Sequence, residues 1–146
     1  MKEFKGRVLN PGTYKGEAVV SHQGVNTLAT FQSSALTNAK QVIVADQNNP
    51  DIFKKNITGK ALCLPKTIGS TTGGMVLEVI CSMGINPACM LFSETIDSLA
   101  GAGVILSVVW EGSKMIAIDE LGQEFLDTVK TGDTIEVKED GTVVIL

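Results

Sequence analysis

Histidine and cysteine are scarce in this chain. One histidine and three cysteines stand among 146 residues, which leaves few ways to assemble a metal site or a nucleophilic triad. Cys63, Cys81 and Cys89 are odd in number and show no CxxC spacing, so they form neither a disulfide framework nor a self-contained zinc site. Each lies in an apolar setting, Leu62-Cys63-Leu64, Val79-Ile80-Cys81 and Ala88-Cys89-Met90, as buried reduced thiols do. Strand and helix interiors rarely converge thiolates, so no iron–sulfur cluster is expected on these three alone. A serine triad would have to use His22, and GxSxG is absent around Ser70, where Thr72 fills the place of the second glycine. No basic run exceeds Lys54-Lys55, and the net charge is −4, which makes nucleic acid and anionic membranes poor partners. No apolar stretch has the length to span a bilayer. Met1 to Lys5 lacks the apolar core of a secretory signal, so the cytoplasm is the expected location.

What is present suits a globular protein: 44% of residues are hydrophobic and 19% charged, and 1–146 reads as one domain with a real core. The N-terminal part reads as β. Strands are expected over Phe4 to Leu9 and Gly16 to Ser21, separated by the turn Asn10-Pro11-Gly12. Polar Ser33 to Lys40 suggests a short helix, and Gln41 to Ala45 a buried strand. Asp46-Gln47-Asn48-Asn49-Pro50 is a loop. Strands follow at Lys60 to Pro65, Pro87 to Phe92, Gly103 to Val109 and Lys114 to Ile118, with a helical turn over Thr95 to Gly101. Met75, Val76, Val79, Ile80 and Met83 share one face of a helix over Thr72 to Met83, stopped by Gly84 and Pro87. Leu121 to Lys130 is amphipathic, with Leu121, Phe125, Leu126 and Val129 inward. Thr134 to Lys138 and Thr142 to Leu146 form a hairpin across Glu139-Asp140-Gly141. β-rich ends around strand–helix–strand units predict mixed layers of sheet and helix. The glycine pattern is G-S-T-T-G-G, not the GxGxxG of a dinucleotide fold.

The candidate site is Ile68-Gly69-Ser70-Thr71-Thr72-Gly73-Gly74, where a strand turns into a helix. Unpaired N–H groups at a helix start attract anions. One of Ser70, Thr71 and Thr72 suffices as a cap; the surplus hydroxyls and the flanking glycines fit a ligand approached closely by backbone. A plain cap and turn accounts for the same residues equally well. No lysine follows the glycines, so this is not a nucleotide-type phosphate loop. A serine hydroxyl also needs a base, a metal or strong local donors to act. Acidic candidates are Asp46, Glu78, Glu94 and Asp97. Asp46 ends an apolar run, a frequent place for ligands in α/β sheets, and it is equally suited to cap the following turn. Phe92 and Trp110 read as packing residues.

Several pieces together resemble the small subunit, or swivel domain, of the aconitase X family. They are Gly6-Arg7-Val8, Pro11-Gly12, Gly16-Glu17-Ala18, Ile57-Thr58-Gly59-Lys60, Pro65 through Gly73, and Thr131 through Val137. The resemblance covers nearly the whole chain. It implies a swivelling β/β/α fold, a barrel-like mixed sheet with flanking helices similar to the fourth domain of aconitase. It implies a hydro-lyase made of two parts, a heterodimer or higher assembly. The large subunit, similar to the first three aconitase domains, would carry an iron–sulfur cluster on its own cysteines, and this chain would bind no cofactor. Ser70 matches the family's serine base, and Gly69, Thr71, Thr72, Gly73 and Asp46 would face the substrate. Family members dehydrate cis-3-hydroxy-L-proline or mevalonate 5-phosphate. Lys66-Thr67-Ile68, Val108-Val109-Trp110 and Asn49 depart from the archaeal pattern, which favours a small hydroxy acid such as hydroxyproline over the phosphorylated substrate. A non-catalytic ligand- or protein-binding module on the same fold is the alternative from a different class.

Overall fold

Two N-terminal segments that each change partners midway set the architecture. The computed structural model describes residues 2–37, 39–68, 80, 83–95 and 115–146. The strands are β1 (Lys2–Lys5), β2 (Arg7–Asn10), β3 (Tyr14–Val20), β4 (Val25–Asn26), β5 (Ala61–Leu64), β6 (Thr67–Ile68), β7 (Cys89–Phe92), β8 (Ile116–Asp119), β9 (Thr134–Val137) and β10 (Thr142–Ile145). The helices are α1 (Thr27–Leu36) and α2 (Gln123–Thr128). The main sheet runs β1-β10-β9-β3-β5-β7-β8-β2. β1 and β2 lie at its two ends, yet only Gly6 separates them in sequence. One continuous N-terminal segment therefore pairs with β10 through its first half and with β8 through its second, which closes the sheet into a barrel. β3 makes the second corner. Tyr14 to Glu17 pair antiparallel with β9, and Ala18 to Val20 pair parallel with β5.

The result is an antiparallel layer over a layer in which β3, β5, β7 and β8 run parallel. Every residue of β5, β7 and β8 is buried, as expected of parallel strands covered on both faces. Side chains alternate between two cores. Ala18, Val20, Cys63, Leu91 and Ile118 face inward against Ile135, Val137 and Val143, and α2 adds Phe125 and Leu126. Phe4 meets Phe125 edge-on, with ring centroids 5.4 Å apart. Val19, Leu62, Leu64, Met90 and Phe92 point the other way, against Val25, Phe31, Val42, Ile52, Ile57 and Ile80 of the crossover segments. This is the β/β/α layering that the family resemblance implies.

The expected strands after Gly16 largely form, as does the hairpin through Gly141, whose φ is +92°. Leu121, Phe125, Leu126 and Val129 are buried as their periodicity requires. Three local expectations are corrected. Phe4 to Leu9 is two strands rather than one. The helix read over Ser33 to Lys40 begins earlier, at Thr27, because Asn26 supplies the N-cap: its Oδ1 accepts from Ala29 N–H at 3.1 Å. Gln41 to Ala45 is no sheet strand. It makes one bridge, Ile43 to Asn56, and packs Val42 and Val44 onto the outer core while Ile43 is exposed. Two buried β-branched positions, Val42 and Val44, can be supplied as well by an irregular crossover as by a strand. The helix over Thr72 to Met83 lies mostly outside the described residues; Ile80 is helical and buried, and Gly84 turns the chain with φ +73°. The strand over Gly103 to Val109 and most of the turn over Thr95 to Gly101 also lie outside them.

Candidate functional site

Four parallel strands end on the same side of the sheet, at Val20, Leu64, Phe92 and Asp119. Ligand sites in such sheets collect at carboxyl ends, where loops leave a rigid frame. Beyond β3, Ser21 is fully buried. Its Oγ donates to the Gln23 carbonyl at 2.7 Å and accepts from Asn49 Nδ2 at 2.9 Å. His22 is exposed; its N–H donates to Asp51 Oδ2 at 2.8 Å, and its Nδ1 lies 3.2 Å from the same oxygen. That contact orients a surface imidazole, and among the described residues no serine is hydrogen-bonded to it.

Beyond β5, Pro65 is buried and Lys66 exposed. The Lys66 carbonyl accepts from Val25 N–H at 2.9 Å. Thr67 and Ile68 then pair, parallel, with Val25 and Asn26. This small second sheet carries the backbone to Gly69. The candidate base Ser70, with Gly69, Thr71, Thr72 and Gly73, lies outside the described residues, as do Glu78, Asp97 and Trp110. Phe92 packs in the outer core.

Asp46 is nearly buried, and its Oδ1 accepts from Asn48 N–H at 3.0 Å while its carbonyl accepts from Asn49 N–H at 3.2 Å. One carboxylate oxygen thus braces the turn that the Asn-Pro dipeptide announces. Glu94, past β7, is exposed. Its carbonyl accepts from Glu120 N–H at 3.2 Å, and Thr95 Oγ1 donates to Glu120 Oε1 at 3.1 Å. Asp119, at the end of β8, is fully buried and takes a two-point contact from Arg7: Nε to Oδ1 at 2.9 Å and Nη2 to Oδ2 at 2.6 Å. The hydrogen bonds and charge of Asp119 raise the Arg7 pKa above its ordinary value. The pair locks the N-terminal segment to the β8 end of the site.

Cys63 and Cys89 are free and buried. Burial pushes the Cys89 thiol up to about 12 and raises that of Cys63 further. Neither supplies a thiolate near neutral pH. Among the described residues no group of three His, Cys, Asp or Glu could hold a metal ion. The thiol chemistry predicts a simple result. In a Cys81→Ser background at pH 8, iodoacetamide should leave the native chain unlabelled and modify both remaining cysteines in denaturant. Mass-detected labelling of the native chain would contradict their burial.

Ser21, Asn49 and Ser93 were not singled out by sequence reasoning as site residues. Ser93 is buried and its Oγ has no hydrogen-bond partner among the described residues, as is also true of Asn49 Oδ1. A hydroxyl residue directly after an apolar strand, as in Val19-Val20-Ser21 and Leu91-Phe92-Ser93, was the available signal.

Comparison with known proteins gives a consistent result. The family model described as the aconitase X swivel domain matches residues 3–145. The chain is 29% identical over 144 residues to the phosphomevalonate dehydratase small subunit of Methanocella arvoryzae, covering 99% of this chain and 97% of the relative. It is 27% identical over 135 residues to the subunit of the same name from Methanosarcina mazei, covering 92% and 84%. A crystal structure of Thermococcus kodakaraensis aconitase X in its holo-form superposes with a TM-score of 0.81 at 26% identity, covering 100% of this chain and 99% of that one.

Proposed function

This chain belongs to the aconitase X swivel-domain family, and from that premise we propose that it is the small subunit of a dehydratase acting on mevalonate 5-phosphate. The full-length match to relatives named phosphomevalonate dehydratase small subunit carries the reading. It reverses the preference drawn from the residues around Ser70 and Trp110: the relatives favour the phosphorylated hydroxy acid, and nothing in the comparisons supports hydroxyproline. The departures at Asn49 and Val108-Val109-Trp110 therefore do not decide the substrate.

The reaction removes a proton from carbon and a hydroxyl from the neighbouring carbon, releasing water and leaving a double bond. In this reading Ser70 Oγ takes the proton, and Gly69, Thr71, Thr72, Gly73 and Asp46 stand toward the substrate. The chain works with a large subunit and is inactive alone. The described cysteines are unfit as cluster ligands, so an iron–sulfur cluster serving this reaction would sit on the large subunit. What this chain contributes is a rigid frame that presents one short segment to the partner.

The test is reconstitution under anaerobic conditions with the large subunit from the same source. Mevalonate 5-phosphate and cis-3-hydroxy-L-proline are offered in parallel, and loss of water is followed by mass spectrometry. Turnover of the phosphorylated substrate alone is expected. Turnover of hydroxyproline alone would restore the other substrate assignment, and turnover by the isolated chain would refute the two-part mechanism.

A further inference from the structure

We infer that Asn49 is a positioning residue, whose amide fixes Ser21 and through it the β4–β6 pair that leads into Gly69 and Ser70. The inference rests on Ser70 being the base of the reaction proposed above.

Asn49 is wholly buried, yet its Oδ1 has no hydrogen-bond partner among the described residues. Leaving a buried acceptor unpaired costs about 1–3 kcal/mol. A leucine, of similar size, would avoid that cost, so the amide is a poor choice for stability at this place. An unsatisfied buried group calls for another account. The bond that Asn49 does make supplies one: Nδ2–H donates to Ser21 Oγ at 2.9 Å. Ser21 Oγ is thereby turned to donate to the Gln23 carbonyl at 2.7 Å. That pair of bonds sets the bend in residues 21–24 on leaving β3.

The bend delivers Val25 and Asn26 to their pairing with Thr67 and Ile68. A sheet of two strands with two residues each has no stability of its own. It holds because its approaches are held. Gln23 Nε2 donates to the Asn48 carbonyl at 2.8 Å, and His22 N–H donates to Asp51 Oδ2 at 2.8 Å. Both fasten the bend to the turn that carries Asn49. Asp46 braces that turn from behind through Asn48 N–H and Asn49 N–H. Val25, also wholly buried, gives its N–H to the Lys66 carbonyl at 2.9 Å. The connected path is therefore Asn49, Ser21, Gln23, Val25, Lys66, and then β6. Displacing a reacting group by about 1 Å costs on the order of a hundredfold in rate, so slack in this path reaches the chemistry without touching substrate.

Asn49→Leu separates positioning from stability. In the reconstituted complex, kcat should fall about tenfold or more while KM stays within about twofold. The melting temperature of the chain should hold or rise. Hydrogen exchange should quicken in peptides covering residues 21–26 and 61–68 and stay unchanged over β9 and β10. Unchanged kcat and exchange would overturn the inference. So would a loss of activity that follows a lowered melting temperature and faster exchange throughout. Should Asn49→Leu not fold, Ser21→Ala cuts the same path. It leaves the buried Asn49 amide without a partner, so its melting temperature should fall. The kcat loss at unchanged KM, together with faster exchange confined to residues 21–26 and 61–68, then decides; unchanged kcat, or exchange quickened throughout, would overturn the inference. Exchange is read on the isolated chain. A wild-type complex that dehydrates neither test substrate would overturn the proposed function, while the exchange pattern would still judge Asn49.

Discussion

Replacing Ser70 by alanine is expected to lower kcat of the assembled dehydratase by about a thousandfold, within the range for removing a positioned general base. A thousandfold is roughly 4 kcal/mol of transition-state stabilisation. KM should change little, because the loss falls on the transition state and not on the bound substrate. The complex should still form, since one hydroxyl contributes little to an interface between subunits. Steady-state kinetics and size-exclusion chromatography of the same preparation check both halves. Retention of more than about a tenth of the wild-type rate would exclude Ser70 as the base, because background chemistry cannot replace such a group. Loss of assembly without loss of intrinsic turnover would make Ser70 an interface residue instead. The contrast with Asn49→Leu is graded: removing the proposed base should cost far more than loosening its proposed support.

The second large effect falls on folding. A Cβ at Gly6 would lie 2.3 Å from the Asp119 carbonyl oxygen, 2.7 Å from Ile118 Cγ2 and 3.0 Å from Leu121 Cδ2. The nearest of these is backbone and cannot swing away. Gly6 also donates its N–H to the Gly141 carbonyl at 3.1 Å, at the point where β1 gives way to β2. Gly141 answers in kind: a Cβ there would meet the Gly6 oxygen at 2.7 Å. Two backbones thus cross at the seam of the barrel with no room for a side chain between them. Gly6→Ala must part the seam, and should cost about 3 kcal/mol, at the upper end of overpacking penalties. For a chain of this size that is a fall of roughly 10 °C in Tm. Gly59→Ala is the control. Gly59 has φ +70° with no atom within 4 Å of an added Cβ, so it should lose only the left-handed backbone penalty of about 1–2 kcal/mol. Thermal melts of the two variants, side by side, test the account. Equal losses would mean that the seam opens without cost.

Much of the frame was readable in one dimension. Ala-Leu-Cys-Leu and Cys-Met-Leu-Phe are buried on both faces, so their apolar runs stand out whatever surrounds them. The hairpin at Glu139-Asp140-Gly141 and the inward stripe Leu121, Phe125, Leu126, Val129 follow from turn chemistry and helical period, which act over a few residues. The same locality explains the misreadings. Gln41 to Ala45 has strand composition, but pairing depends on a partner, and the neighbouring places in the sheet are already filled by β3, β5, β7 and β8. The start of α1 was set by Asn26, a cap that polar composition further along concealed.

Of the candidate site, Gly69, Ser70, Thr71, Thr72 and Gly73 stand out in the sequence because hydroxyls and glycines crowd an expected strand–helix junction beyond the needs of a cap and the longer motif resembles a family; they lie outside the described residues, and the Ser70 variant tests them. Asp46 and the Asn49-Pro50 turn were legible as a turn. The tie of Asn49 to Ser21, 28 residues apart, was not. Nor was the crossing of Gly6 with Gly141 and Asp119, or the Arg7–Asp119 clasp. Composition, period and turn residues record what a segment does with its own neighbours. Which buried polar atom finds a partner, and which backbones must touch, depends on loops closing over tens of residues, and the chain settles that only when its layers come together.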